Sequence, residues 1–216
     1  MLIALIVAFV LWTLMFSPWT APYIPFWQAM TVSALILTAL SLYFGGNPFK
    51  SQMAPSPLGE KPIRCDMRSV LINIALGVGI AVALWGVFWV GDKLSQLMFP
   101  SFARTQVNTI YGMKDGFNGL VISLLLLFVI GPAEEIFWRA FIQRQLALRW
   151  GKLGVALGIA LYALAHLFSF NFMLIMAALV CGIVWGVLYY LFPHRLPALI
   201  LSHALWDAAV FIWFPI

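Results

Sequence analysis

The sequence predicts an all-α, polytopic transmembrane bundle of about seven to eight spans, and three observations carry that prediction. Hydrophobic residues make up 64% of the 216-residue chain and charged residues only 9%, far from the roughly 25% charge of a soluble domain. The apolar residues gather in seven runs, near 2–16, 26–44, 70–90, 117–133, 153–168, 172–192 and 197–214, most of them close to the ~20 residues a helix needs to cross hydrocarbon. Proline and glycine collect between the runs, as in SPWTAPYIP (17–25) and GGNPFKSQMAPSPLGEKP (45–62), which read as a tight turn and a longer loop.

Taken in order, the first run, MLIALIVAFVLWTLMF, lacks the basic start and small-residue cleavage site of a secretory signal and reads as a retained span. The second and third runs flank the loop at 45–69, and an eighth span has room between 92 and 116. The fourth run ends at Gly131-Pro132, where a kink or restart is expected because proline offers no N–H and frees the carbonyl of Phe128. The stretch 133–149 is amphipathic: Ile136, Phe137, Phe141 and Leu146 interleave with Arg139, Gln143, Arg144 and Arg149. It is expected to slope from the membrane interior to the cytoplasmic interface. The whole, 1–216, reads as one transmembrane domain, with 1–116 as N-terminal spans and 117–214 as the part that gathers the ionisable residues. No internal repeat is visible, which weighs against a transporter built from two related halves.

Charge sets an orientation. Segment 45–69 holds Lys50, Lys61, Arg64 and Arg68, segment 134–152 holds Arg139, Arg144, Arg149 and Lys152, and the turn at 193–196 holds Arg195. Lys93, Arg104 and Lys114 fall on the other side. This nine-to-three split places the N-terminus in the cytoplasm and the C-terminus outside. No clustered basic face suits nucleic acid, so none is expected as a partner. Cys65 and Cys181 make neither a disulfide framework nor a metal cluster.

A few ionisable groups lie in or beside apolar runs: Glu134, Glu135, Arg139, His166, His203 and Asp207. A charge at the bilayer centre costs about 2.5–3.5 kcal/mol on insertion scales, so each is a candidate functional group. Glu135 and Arg139 stand at i and i+4, acid first, and can pair on one helix face. Glu134 lies about 100° around the helix from Glu135. Unshared with the arginine, it is the candidate to take a proton from water and return it. Tyr162 shares a face with His166, and His203 with Asp207. At about 1.5 Å per residue, Glu134 and His166 both lie roughly 21–22 Å from the cytoplasmic interface, whereas His203 lies roughly 10 Å from it. The last helix must therefore tilt or begin deeper if the three are to meet.

The motifs of other membrane hydrolases are missing: there is no HExxH for zinc, no Gly-x-Ser-x-Gly elbow, and Gly91-Asp92 has no second intramembrane aspartate. Carboxylate and imidazole suit zinc, so a metal held by Glu134, His166, His203 and Asp207 is chemically feasible. The spacing specifies none, and the favoured reading has no metal and no other cofactor. The plain alternative is that these groups only join helices by hydrogen bonds.

At these residues the chain resembles the CAAX protease and bacteriocin-processing (CPBP) family of intramembrane glutamic proteases, over roughly 117–214. Its EExxxR motif is matched by Glu134, Glu135 and Arg139, its FxxxH motif by Tyr162 to His166 with tyrosine for phenylalanine, and its HxxxN/D motif by His203 to Asp207. The resemblance implies peptide-bond hydrolysis in a cavity open to the cytoplasm and the lipid, with 117–214 as the catalytic core. It implies Glu134 and His166 as activators of water, His203 and residue 207 as support for the oxyanion, and Glu135, Arg139 and Tyr162 in supporting places. Prenyl endopeptidases carry Asn where this chain has Asp207, which cannot donate a hydrogen bond unless protonated. Its expected task is instead to hold His203 as a donor. The implied substrate is a membrane-delivered protein or peptide, lipidated or not, met in the lipid bilayer. The expected location is an integral position in a prokaryotic cell membrane with the N-terminus cytoplasmic. A non-enzymatic immunity or scaffold protein and a proton-coupled transporter remain the alternatives.

Overall fold

A computed structural model describes residues 1–49 and 66–216, and the described residues form helices and short connections with no strand. Cys65 and most of the loop expected at 45–69, with Lys50, Lys61 and Arg64, lie outside the described residues. Nine α-helical segments follow in order: α1 (Leu2–Phe16), α2 (Phe26–Gly45), α3 (Met67–Met98), α4 (Pro100–Gly112), α5 (Gly119–Leu125), α6 (Gly131–Glu134), α7 (Arg144–Ala165), α8 (Phe172–Leu191) and α9 (Leu196–Ala208). Two π-helical stretches, Leu126–Ile130 and Glu135–Gln143, join α5, α6 and α7, and a third, Ala209–Trp213, extends α9.

All seven apolar runs are helical. Five helical stretches are long and apolar enough to cross a membrane: Phe26–Gly45, Met67–Met98, Gly119–Ser169, Phe172–Leu191 and Pro193–Trp213. The first run, Leu2–Phe16, is a shorter apolar helix. The runs 117–133 and 153–168 are the two arms of the single stretch Gly119–Ser169. The region 92–116 does not supply an eighth span. Instead α3 runs on to Met98, and α4 is a 13-residue helix in which Arg104, Thr105, Asn108 and Thr109 are exposed. It lies against both α3 and α8.

The helix through Pro132 is bent, and it stays continuous. Widening to π register lets the Gly131 N–H donate to the carbonyl of Leu126, five residues back, which absorbs the missing proline donor without a break. The sharp reversal comes later, at Gly151 (φ 54°, ψ −131°), in a left-handed region that glycine enters at little cost. The two arms then close tightly. A Cβ at Gly154 would lie 2.0 Å from the Leu146 carbonyl oxygen, and one at Gly158 would lie 3.0 Å from Gln143 Cβ. The polar residues of 133–149 turn inward at first and reach the surface only at Arg149. Arg139 and Gln143 are both 2% exposed, and Gln143 Nε2 donates to the Gly186 carbonyl of α8 at 2.7 Å. In a bundle bathed by lipid, polar groups gain most where helices meet.

The central element is α9. Leu196, Leu199, His203, Ala204 and Ala208 are buried, and it packs against α3, α6 and the π-helical stretch Leu126–Ile130. Small residues allow this. A Cβ at Gly131 would fall 2.8 Å from Ala204 Cα, and one at Gly77 would fall 3.0 Å from the Ala198 carbonyl oxygen. Outward faces such as Leu2, Ile3 and Ile6 of α1 and Leu71 and Ile74 of α3 are apolar and exposed, as lipid contact requires.

Because the Gly131 contact is with backbone, which cannot rotate away, Gly131→Ala should lower the thermal stability of the purified protein in detergent by about 1–3 kcal/mol. Gly79→Ala, with nothing within 4 Å of the added carbon, should leave the melting temperature close to that of the parent.

Candidate active site

The adjacent acids Glu134 and Glu135 end α6 and open the following π-helical stretch, so they diverge. Both are buried, but only Glu134 lines a cavity of about 410 Å³, together with Tyr162, His166, His203, Trp206 and Asp207. Glu135 sits behind that wall. Its Oε1 accepts from His203 Nδ1 at 2.8 Å and faces Arg139 Nε at 3.5 Å. The Arg139 guanidinium lies over the ring of Tyr162 at 4.2 Å and that of Trp185 at 5.5 Å. Its two Nη atoms are buried without a hydrogen-bond partner, so cation–π attraction and Glu135 hold the charge. The i, i+4 ion pair expected from the sequence is therefore present, and Glu135 has a second partner that the sequence did not indicate.

His203 is fixed on three sides. Its ring stacks on the Trp185 indole, with centroids 3.9 Å apart and planes 16° apart, while Trp185 Nε1 donates to Ser202 Oγ at 3.1 Å. Its Nδ1 meets Glu135, and a carboxylate there requires that nitrogen to carry hydrogen. Its Nε2 faces Asp207 Oδ2 at 3.5 Å and Glu134 Oε2 at 4.0 Å. The orienting hydrogen bond expected from Asp207 is thus made by Glu135. Asp207 stands at the opposite ring nitrogen, beyond ordinary hydrogen-bond length.

His166 caps α7, where its Nδ1 lies 3.0 Å from the Tyr162 carbonyl oxygen. Trp12 Nε1 of α1 donates to its Nε2 at 3.4 Å, so both contacts agree on the tautomer with hydrogen on Nδ1. The rings of Phe16 and Tyr162 pack at 5.4 and 5.5 Å. All the sequence-selected residues therefore meet: Glu134, Tyr162, His166, His203 and Asp207 around the cavity, Glu135 and Arg139 behind it. Trp12, Trp185 and Ser202 were not selected. Their partners lie 154 and 17 residues away, and no local spacing signals such pairs. Among the described residues, no group of three or more His, Cys, Asp or Glu side chains is arranged to hold a metal ion.

The apolar walls of the cavity come from Phe16, Trp27, Met30, Phe88 and Ile110 among others. α4 closes one end. Asn171 Nδ2 donates to the Gln106 carbonyl at 2.8 Å, the Phe172 N–H donates to Gln106 Oε1 at 2.7 Å, and the Ile216 N–H donates to the Tyr111 hydroxyl at 2.9 Å.

A polar floor in a bundle of membrane-crossing helices defines an integral membrane protein with an enzyme-like pocket. Residues 116–209 match the family model described as type II CAAX prenyl endopeptidase Rce1-like, a region that contains all three motifs. The match supports, in general terms, a protease that hydrolyses peptide bonds. No match is found among curated proteins or among solved structures.

Glu135→Gln and Glu134→Gln should behave differently although the residues are neighbours. The first removes the charge beside Arg139 and should cost about 3–5 kcal/mol, since it leaves a buried cation uncompensated. Glu134, whose nearest charged partner is 4.0 Å away, should tolerate the change within about 1 kcal/mol. Thermal unfolding of the two variants in one detergent measures the difference.

Proposed function

We propose that the chain is an intramembrane endopeptidase of the glutamic type, acting on a membrane-delivered protein or peptide, lipidated or not. The observation that carries this reading is the division of labour between the twin acids: Glu134 faces the cavity beside His166 and His203, while Glu135 is turned away to hold Arg139 and His203. A purely structural pair would give no reason for one carboxylate to border the cavity, apart from the arginine that its neighbour holds.

In this mechanism Glu134 accepts a proton from a water molecule held between it and His166, and the water oxygen attacks the carbonyl carbon of the scissile bond. The developing oxyanion accepts a hydrogen bond from Nε2–H of His203 in its doubly protonated form, whose position is set by Glu135 and the Trp185 stack, so that little reorganisation is needed at the moment of charge build-up. Glu134 then returns the proton to the leaving nitrogen and the C–N bond breaks. Asp207 keeps the cavity polar at His203 Nε2. It is not required as a donor, because the imidazole is oriented from its other nitrogen. No metal takes part in this scheme.

Comparison of membrane-protein termini between cells carrying the wild-type chain and the variants tests the proposal. Glu134→Gln and His166→Ala should each reduce the dependent cleavage by at least about 100-fold at unchanged expression, as expected for loss of a general base or its partner. Identical termini in wild type and both variants would instead mark a scaffold. Asp207→Asn should retain activity within about tenfold, because Glu135 continues to orient His203. Treatment of the purified protein with a zinc chelator should leave cleavage unchanged, and a loss restored by added zinc would replace the scheme with a metal-dependent one.

A further inference from the structure

The cavity belongs to one half of the bundle. Five helical stretches contribute to its wall from the same end: Phe16 from the close of α1, Trp27 from the opening of α2, Asp92 from the late part of α3, Met173 from the first turn of α8, and Phe211 from the extension of α9. α4 lies across this end, and the His166–Asn171 turn reaches it too. The opposite end carries the close of α2, the opening of α3, the reversal at Gly151 and the turn Pro193–Arg195.

The cations divide along the same line. Among the described residues, Arg68, Arg144, Arg149, Lys152 and Arg195 stand at the end away from the cavity, and in the sequence Lys50, Lys61 and Arg64 fall between α2 and α3. Arg139, buried against Glu135, no longer reports on a membrane face, which leaves five cations at this end among the described residues, with three more in the sequence between α2 and α3. The cavity end has three, each engaged: Lys93 with Asp92 at 3.4 Å, Arg104 with Gln96 at 2.6 Å, and Lys114 with the Phe211 carbonyl at 2.9 Å. Lysine and arginine at span ends mark the cytoplasmic face, so the cavity occupies the other half of the membrane.

The side wall is open as well. Val87 of α3 and Met176 of α8 line the cavity and are 53% and 37% exposed. The space between α3 and α8, beneath α4, therefore reaches the lipid-facing surface of the bundle.

Resting on the protease reading above, we infer that the substrate is a membrane-anchored segment of an exported protein, entering sideways between α3 and α8 from the non-cytoplasmic leaflet. A tail offered from the cytoplasm would meet the cation-rich end, with the hairpin at Gly151 between it and the catalytic groups. This departs from the cytoplasmic opening that the family resemblance implies.

Labelling reads the orientation without any substrate. In a Cys65→Ser background, Thr109→Cys on the exposed face of α4 and Trp150→Cys at the hairpin tip are treated with a membrane-impermeant maleimide. Thr109→Cys should label in intact cells, and Trp150→Cys only after permeabilisation. The reverse pattern, or equal labelling of the two, overturns the inference. Termini that depend on Glu134 should then map to the exported side of membrane proteins, and termini confined to cytoplasmic segments also overturn it. If no Glu134-dependent terminus appears while Thr109→Cys labels from outside, the protease reading fails and the substrate class falls with it, whereas the orientation stands.

Discussion

The hydrogen bond between Glu135 and His203 is the contact on which the rest of the site depends. It joins the bent helix to α9 across 68 residues of sequence, and it does so inside a region where an unpaired charge would be expensive. Arg139 neutralises the acid from the same helix, Tyr162 and Trp185 cover the guanidinium, and Trp185 in turn supports the imidazole. Four helical stretches are thereby committed to one geometry. A buried ionic group contributes little net stability, but removing any partner strands the others, so the cluster acts as a register pin between α9 and the bent helix.

That pin frees Glu134. Successive residues on a helix point about 100° apart, and here one carboxylate is committed to structure while the other borders open space. The π-helical register on either side of α6 contributes by re-aiming the side chains around the Gly131-Pro132 bend. Irregular helical register in the middle of a bundle is tolerable only where neighbours or a cavity satisfy it, and here α9 lies against it through Gly131.

Much of this was legible in the sequence, and the residues show why. Glu135 with Arg139, Tyr162 with His166 and His203 with Asp207 are i, i+4 neighbours, and helical periodicity alone puts each pair on one face. The seven apolar runs were long enough to declare themselves. What stayed hidden was long-range or depended on depth. Nothing local ties Trp12 to His166, or Glu135 to His203. His203 meets Glu134 and Glu135 although counting from its turn put it nearer the surface, because residue counts along one helix do not give its placement against the others. The stretch 92–116 admitted a span on length, but its polar residues suit a helix lying across the bundle end. The burial of Gln143 against α8 was not legible either, because amphipathicity gives a face without saying whether water or protein covers it.

One feature extends this beyond the matched region. Trp12 belongs to the first helix, more than a hundred residues ahead of the segment 116–209, yet its indole is what holds the far nitrogen of His166, and Phe16 one turn later walls the same pocket. The three motifs are therefore an incomplete toolkit on their own. The smallest unit able to keep the pocket intact reaches back to the opening helix.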